Sequence, residues 1–214
     1  MTQFFFIPLS GKPLANCLFT LKTEFRIGLK RCQILQNFLG MKAFLFDRDG
    51  TLIVNKHYLS SPTGIRFLPC AIDTLKYLSS NGYKLFIITN QSGVKRGHYS
   101  KSRIDEIHRE LMMRLLIEKV YISGILHCEH HPNERCNCRK PGDYFLKLLI
   151  RKYDLDPSVS YFVGDRWEDI EFGKKWGLKT ILIKNPLNVE VVNLADYAID
   201  TLCEIPGILN EKSS

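Results

Sequence analysis

From Met41 onward, short apolar runs alternate with segments of helical period, and that alternation narrows the architectures open to the chain. The runs read as strands over residues 42–47, 83–89, 122–127, 160–164 and 179–183, with a weak sixth near 197–199. Helical spacing fills 70–80, with Pro69 near its start and Asn81-Gly82 as its stop. It returns over 100–120, where Ser100 is the expected cap and Ile104, Ile107, Leu111, Leu115 and Ile117 or Val120 share one face. Two more helices are expected over 143–153 and 167–176. Strands that are apolar on both faces, joined by helices, predict an α/β fold: a doubly wound parallel sheet covered on both sides.

The chain has 214 residues and is 45% hydrophobic, enough for one domain with its own core. No apolar stretch approaches the roughly 20 residues a membrane span needs, so no membrane partner is expected. Residues 1–40 differ from the rest. Lys12, Lys22, Arg26, Lys30 and Arg31 stand there against Glu24 alone, half of the net charge of +8. The apolar run Phe4-Phe5-Phe6-Ile7 precedes these charges, the reverse of a secretory signal. The segment reads either as an amphipathic membrane-surface stretch or, as expected here, as an extension with little structure. The folded domain is then expected over 41–205 and a tail over 206–214. The remaining positive charge suits an anionic small-molecule substrate and does not demand nucleic acid.

Chemistry gathers where strands end. In parallel sheets ligands bind beyond the carboxyl ends of the strands. The first strand ends in Asp47-Arg48-Asp49-Gly50-Thr51, two carboxylates one residue apart as the chain leaves the sheet. Such a pair suits a hard cation such as Mg2+ and suits phosphoryl transfer by nucleophile and proton carrier. The second strand ends in Thr89-Asn90-Gln91-Ser92-Gly93, and the fourth in Gly164-Asp165-Arg166, with Asp169 a helical turn later. Arg139-Lys140-Pro141 opens the helix between the third and fourth strands.

A second cluster lies at 128–138. Cys128, Cys136 and Cys138 with His130 offer three sulfurs and one nitrogen, the donor set of a closed tetrahedral Zn2+ site. His131 fits the spacing equally, and His127 is a weaker candidate. Clustered cysteines read as a metal site where a disulfide framework would spread them along the chain, which points to the cytoplasm.

These motifs, in this order, resemble those of the haloacid-dehalogenase-like phosphatases, over residues 41–185. The resemblance implies that Asp47 is the nucleophile and becomes an aspartyl phosphate, and that Asp49 is the general acid and base. It further implies that Thr89 and Lys140 stabilise the phosphoryl group. Mg2+ would be held by Asp47, the backbone carbonyl of Asp49 and Asp165, with Asp169 acting behind them. The cysteine cluster followed by Arg139-Lys140-Pro141 resembles one branch, that of the heptose bisphosphate phosphatases of lipopolysaccharide precursor synthesis and the histidinol-phosphate phosphatases. That branch lacks a large cap domain.

In the heptose branch, Asn55, Lys56, His57 and Tyr58 occupy the place of the substrate loop. Asn90, Gln91, Ser92, Arg96, Arg139 and Arg166 are expected to contact substrate as well. A sugar bisphosphate is therefore the expected substrate of what is expected to be a monomer, with histidinol phosphate as the alternative. A zinc-stabilised nucleic-acid-binding module and a nucleic-acid 3′-phosphatase are the competing readings. The first has no use for three acids on one rim, and the second usually needs an added recognition domain.

Overall fold

The computed structural model describes residues 40–210. The extension expected over 1–40 falls, up to residue 39, outside the described residues, as do residues 211–214. Six parallel strands form one sheet: β1 (Ala43–Phe46), β2 (Lys84–Asn90), β3 (Gly124–Cys128), β4 (Tyr161–Gly164), β5 (Lys179–Ile183) and β6 (Tyr197–Ile199). Their order is β3-β2-β1-β4-β5-β6. The direction of winding reverses between β1 and β4, which is where such sheets open a crevice for ligand. The helices are α1 (Ala71–Ser80), α2 (Lys101–Ile117), α3 (Tyr144–Tyr153), α4 (Trp167–Lys174) and α5 (Ile205–Asn210).

The pleat sends successive side chains of a strand to opposite faces. Phe44 and Phe46 of β1 therefore join one buried cluster, with Leu75 of α1, Ile104, Ile107 and Leu111 of α2, and Ile205 of α5. Leu45 joins the other, with Phe145 and Leu149 of α3 and Phe172 of α4. The doubly wound expectation holds, and among the described residues no separate domain interrupts it. Ser100 caps α2 as expected, its Oγ accepting from the Arg103 N–H at 3.2 Å. Of the two alternatives that follow Leu115, Val120 is buried and Ile117 exposed.

Two expectations change. Residues 206–210, expected to be tail, are helical, part of the helix Ile205–Asn210. Ile205, Ile208 and Leu209 pack on the core, and the Tyr77 hydroxyl donates to Asn210 at 3.2 Å. The cysteines, read only as a metal cluster, also supply a disulfide, Cys70–Cys203, joining the residue before α1 to the turn before α5. Both partners lie outside the cluster and are 133 residues apart, so no local spacing announces them. Among the described residues no helix is long and apolar enough to cross a membrane.

Candidate active site

β1 and β4 are adjacent, and the Asp47 N–H donates to the Val163 carbonyl at 2.9 Å just past the last paired residues. This register brings Asp47 and Asp165 to the same edge. Oxygens of Asp47, Asp165 and Asp169 lie within 4.8 Å of one another, all three buried. Lys140 Nζ bridges two of them, donating to Asp47 Oδ1 and Asp169 Oδ1 at 2.6 Å each. The other oxygen of Asp169 accepts from the backbone N–H groups of Asp165 and Arg166. Asp169 thus fixes both the lysine and the turn that presents Asp165. The Asp49 carboxylate is not one of this close group, although its charge acts on Asp47.

The electrostatics call for added positive charge. Burial pushes Asp165 up to about 7, helped by the Asp47 and Asp169 carboxylates. Burial likewise pushes Asp47 up to about 6, against the pull of Lys140. Burial alone would lower the Lys140 ammonium, but the Asp169 and Asp47 carboxylates outweigh it and hold the group above the usual lysine range. One lysine therefore does not neutralise three buried acids. Asp165 Oδ1 is buried with no partner in the protein. An all-oxygen donor set with an orphaned carboxylate oxygen fits a hard divalent cation. Backbone geometry completes the cradle. Gly50 has φ +85°, and a Cβ there would come within 2.3 Å of Asp165 Oδ2. A Cβ on Gly164 would meet Asp169 equally closely.

A cavity of about 230 Å³ opens over these groups. Asn55, Lys56, His57 and Tyr58 line one part of it, and Ser92, Arg96, Arg139 and Arg166 other parts. Asn90 and Gln91 also line it, but their amides are committed elsewhere. Asn90 clips the backbone of Lys140 on both sides, its Oδ1 accepting from Lys140 N–H at 2.9 Å and its Nδ2 donating to Lys140 O at 3.1 Å. Gln91 Nε2 donates to Asp49 Oδ2 at 2.8 Å and to Thr89 Oγ1 at 2.9 Å. Because Thr89 Oγ1 accepts from Gln91, its own O–H is left as a donor.

The cysteine cluster closes beside β3. Cys138 Sγ lies 3.2 Å from both Cys128 Sγ and His130 Nδ1, and Cys128 Sγ lies 3.8 Å from Cys136 Sγ. Tetrahedral zinc–sulfur bonds of about 2.3 Å separate sulfurs by about 3.8 Å, close to this arrangement. The hydrogen bond between Cys128 and Cys138 raises the first thiol and pushes the second down to about 6. His130 is the histidine in the group. His131 accepts instead from the Asn133 N–H, and His127 pairs with Glu129 at 3.0 Å.

Sequence reasoning missed several supporting residues. Arg48 is fully buried between the two acids of its motif and bonds Asp49 and His108. Asn188, beyond β5, donates to the carbonyls of Asp165 and Ile183 at 2.8 Å each, pinning the Asp165 turn. The one available signal for Asn188 was its position past a strand's carboxyl end, on the rim already rich in polar groups.

An acidic cation site at the switch point of a doubly wound sheet, bridged by a buried lysine, defines a class of metal-assisted phosphoryl-transfer enzymes. A family model described as "HAD-hyrolase-like" matches residues 137–200. The D-glycero-beta-D-manno-heptose-1,7-bisphosphate 7-phosphatase of Haemophilus influenzae is 34% identical over 177 residues, 78% of this chain and 96% of that protein. The Escherichia coli K12 protein of the same name is 30% identical over 184 residues, 81% of this chain and 96% of its own length. The crystal structure of D,D-heptose 1,7-bisphosphate phosphatase from B. bronchiseptica, complexed with magnesium and phosphate, shares the fold. Its TM-score is 0.73 at 24% identity, and the match covers 80% of this chain and 99% of that one. The chain belongs to the HAD-like phosphatases.

Proposed function

We propose that this chain hydrolyses the 7-phosphate of D-glycero-D-manno-heptose 1,7-bisphosphate, in the synthesis of lipopolysaccharide precursors. The observation that carries the phosphatase chemistry is Lys140 Nζ, buried in the lining of the cavity and held at 2.6 Å from both Asp47 and Asp169. Asp47 attacks phosphorus, the phosphorus–ester oxygen bond breaks, and Asp49 gives its proton to the leaving oxygen. Water then attacks the aspartyl phosphate, Asp49 takes back a proton, and the bond from Asp47 to phosphorus breaks. Lys140 and the Thr89 hydroxyl stabilise charge on the phosphoryl oxygens as it moves. Asp47 and Asp165, with the backbone carbonyl of Asp49, would hold Mg2+, which supplies the positive charge that lets one anion approach another.

We assign Cys128, His130, Cys136 and Cys138 to a structural Zn2+. That site fixes the loop carrying Arg139 and Lys140 over the substrate. The sugar bisphosphate rests on the relatives' names and on the cations around the cavity. Lys56, Arg96, Arg139 and Arg166 line it, and none is in an ion pair with another described residue. Arg139 Nη1 is buried without a partner in the protein. These are groups suited to a second phosphate.

The test compares heptose 1,7-bisphosphate, histidinol phosphate and a 3′-phosphorylated oligonucleotide, with and without Mg2+, using native protein and Asp47→Asn. Magnesium-dependent turnover of the first, lost in Asp47→Asn, is expected. Preference for either other substrate would replace the substrate assignment, and activity surviving in Asp47→Asn would remove the nucleophile.

A further inference from the structure

Asp49 is held in an unusual way for a group that must both give and take a proton. Its Oδ2 accepts three N–H bonds, from Arg48 Nε at 3.1 Å, Arg48 Nη2 at 2.8 Å and Gln91 Nε2 at 2.8 Å. Its Oδ1 has no partner in the protein. Each donor is itself braced by a residue from elsewhere in the chain. Arg48 Nη1 donates to His108 Nε2 of α2 at 3.0 Å, 60 residues away, and both side chains are fully buried. Gln91 Oε1 accepts from the Tyr99 hydroxyl at 2.7 Å.

We propose that Arg48 and Gln91 are positioning residues that lock the Asp49 carboxylate by one oxygen, with His108 and Tyr99 as braces that keep the two donors aimed. The proposal rests on the acid/base role of Asp49 given above. A buried guanidinium is costly unless each N–H finds an acceptor. Neutralising Asp49 would need only an exposed lysine. A buried, doubly anchored Arg48 instead fixes the orientation of the carboxylate. The braces are in the right form for it. Burial and the neighbouring Arg48 hold His108 well below its usual range, so its Nε2 is an acceptor. Burial pushes the Tyr99 phenol up to about 12, so it remains a donor.

The lock holds the carboxylate by Oδ2, while Oδ1 is buried and without a partner in the protein, so the carboxylate turns only if its bonds from Arg48 and Gln91 break. Gln91 ties this geometry to the phosphate site as well, through its second bond to Thr89.

The experiment uses His108→Phe and Tyr99→Phe, with His108→Gln as a variant that restores an acceptor for Arg48. Each is assayed on an alkyl phosphate, whose leaving oxygen needs a proton, and on nitrophenyl phosphate, whose leaving group does not. Misplacing Asp49 should lower kcat on the alkyl phosphate about tenfold or more while KM stays within about twofold. Nitrophenyl phosphate should give a burst of nitrophenolate near one per enzyme, because the aspartyl phosphate forms but is hydrolysed slowly. His108→Gln should recover most of the loss. Native kcat in the folded variants, a rise confined to KM, or an equal loss on both substrates without a burst would each overturn the proposal. Tyr99→Phe removes a single hydroxyl and keeps the ring that packs against Gly93, so it carries the test if His108→Phe does not fold. Asp49→Asn is run alongside. If it is inactive while the brace variants are fully active, the lock fails and the acid/base role stands. If it is active, that role fails first.

Discussion

Single atoms decide much at this site. A Cβ on Gly50 would stand 2.3 Å from Asp165 Oδ2, on a backbone at φ +85° that side chains rarely adopt. Gly50→Ala should therefore displace Asp165, and titration of activity with magnesium should show the apparent metal affinity falling about tenfold or more. Native affinity would separate Asp165 from the metal. Lys140 is the second such point. Lys140→Met leaves Asp47 and Asp169 buried without their shared cation. Loss of that stabilisation should lower kcat by about 10²- to 10³-fold. A kcat within about tenfold of native would mean that another cation serves the phosphoryl group.

Among elements, the loop from Cys128 to Lys140 bears most on the chemistry. Its cysteine cluster closes at one end, and Asn90 of β2 grips the backbone of Lys140 at the other. The Gln91 N–H, next along, donates to the Cys128 carbonyl at 2.7 Å. Cys138→Ser should release zinc, lower the melting temperature and reduce kcat together, with zinc release measured by a colorimetric chelator. Full activity in zinc-free protein would show that the loop holds Lys140 without metal. The sequence made this element legible because its three cysteines and one histidine are packed into eleven positions, where spacing alone implies proximity. It did not reveal the Asn90 clip. A side chain at a strand end reads equally as a substrate contact, and only the fold carries Lys140 to it from 50 residues away. Arg48 escaped for a related reason, since its acceptor on α2 is reached only after β2 and α2 have packed against β1.

Across the whole molecule, folding concentrates negative charge that the unfolded chain keeps apart. Asp47 and Asp165 are pushed by burial up to about 6 and about 7, against 3.8 for a free aspartate. Between those values the folded state binds more protons than the unfolded one. The contribution of these acids is thus fully present below about pH 4, and metal-free stability falls as pH rises towards about 7. Magnesium should offset that loss. The rise in melting temperature on adding it should be larger at about pH 8 than at about pH 5, and equal shifts at the two values would contradict the assignment. By itself the sequence determined the alternation of strands and helices, the parallel sheet and the acids at its carboxyl edge. Each of these follows from periodicity and from what stands next to what along the chain. The tertiary structure alone decided that His130 joins the sulfurs while His131 does not, that Cys70 meets Cys203, that the last turn of chain is a helix on the core, and that Asp49 is held by Arg48 and Gln91. Those contacts link residues whose separation in sequence carries no information about distance, until burial of the two apolar faces fixes the register of everything above the sheet.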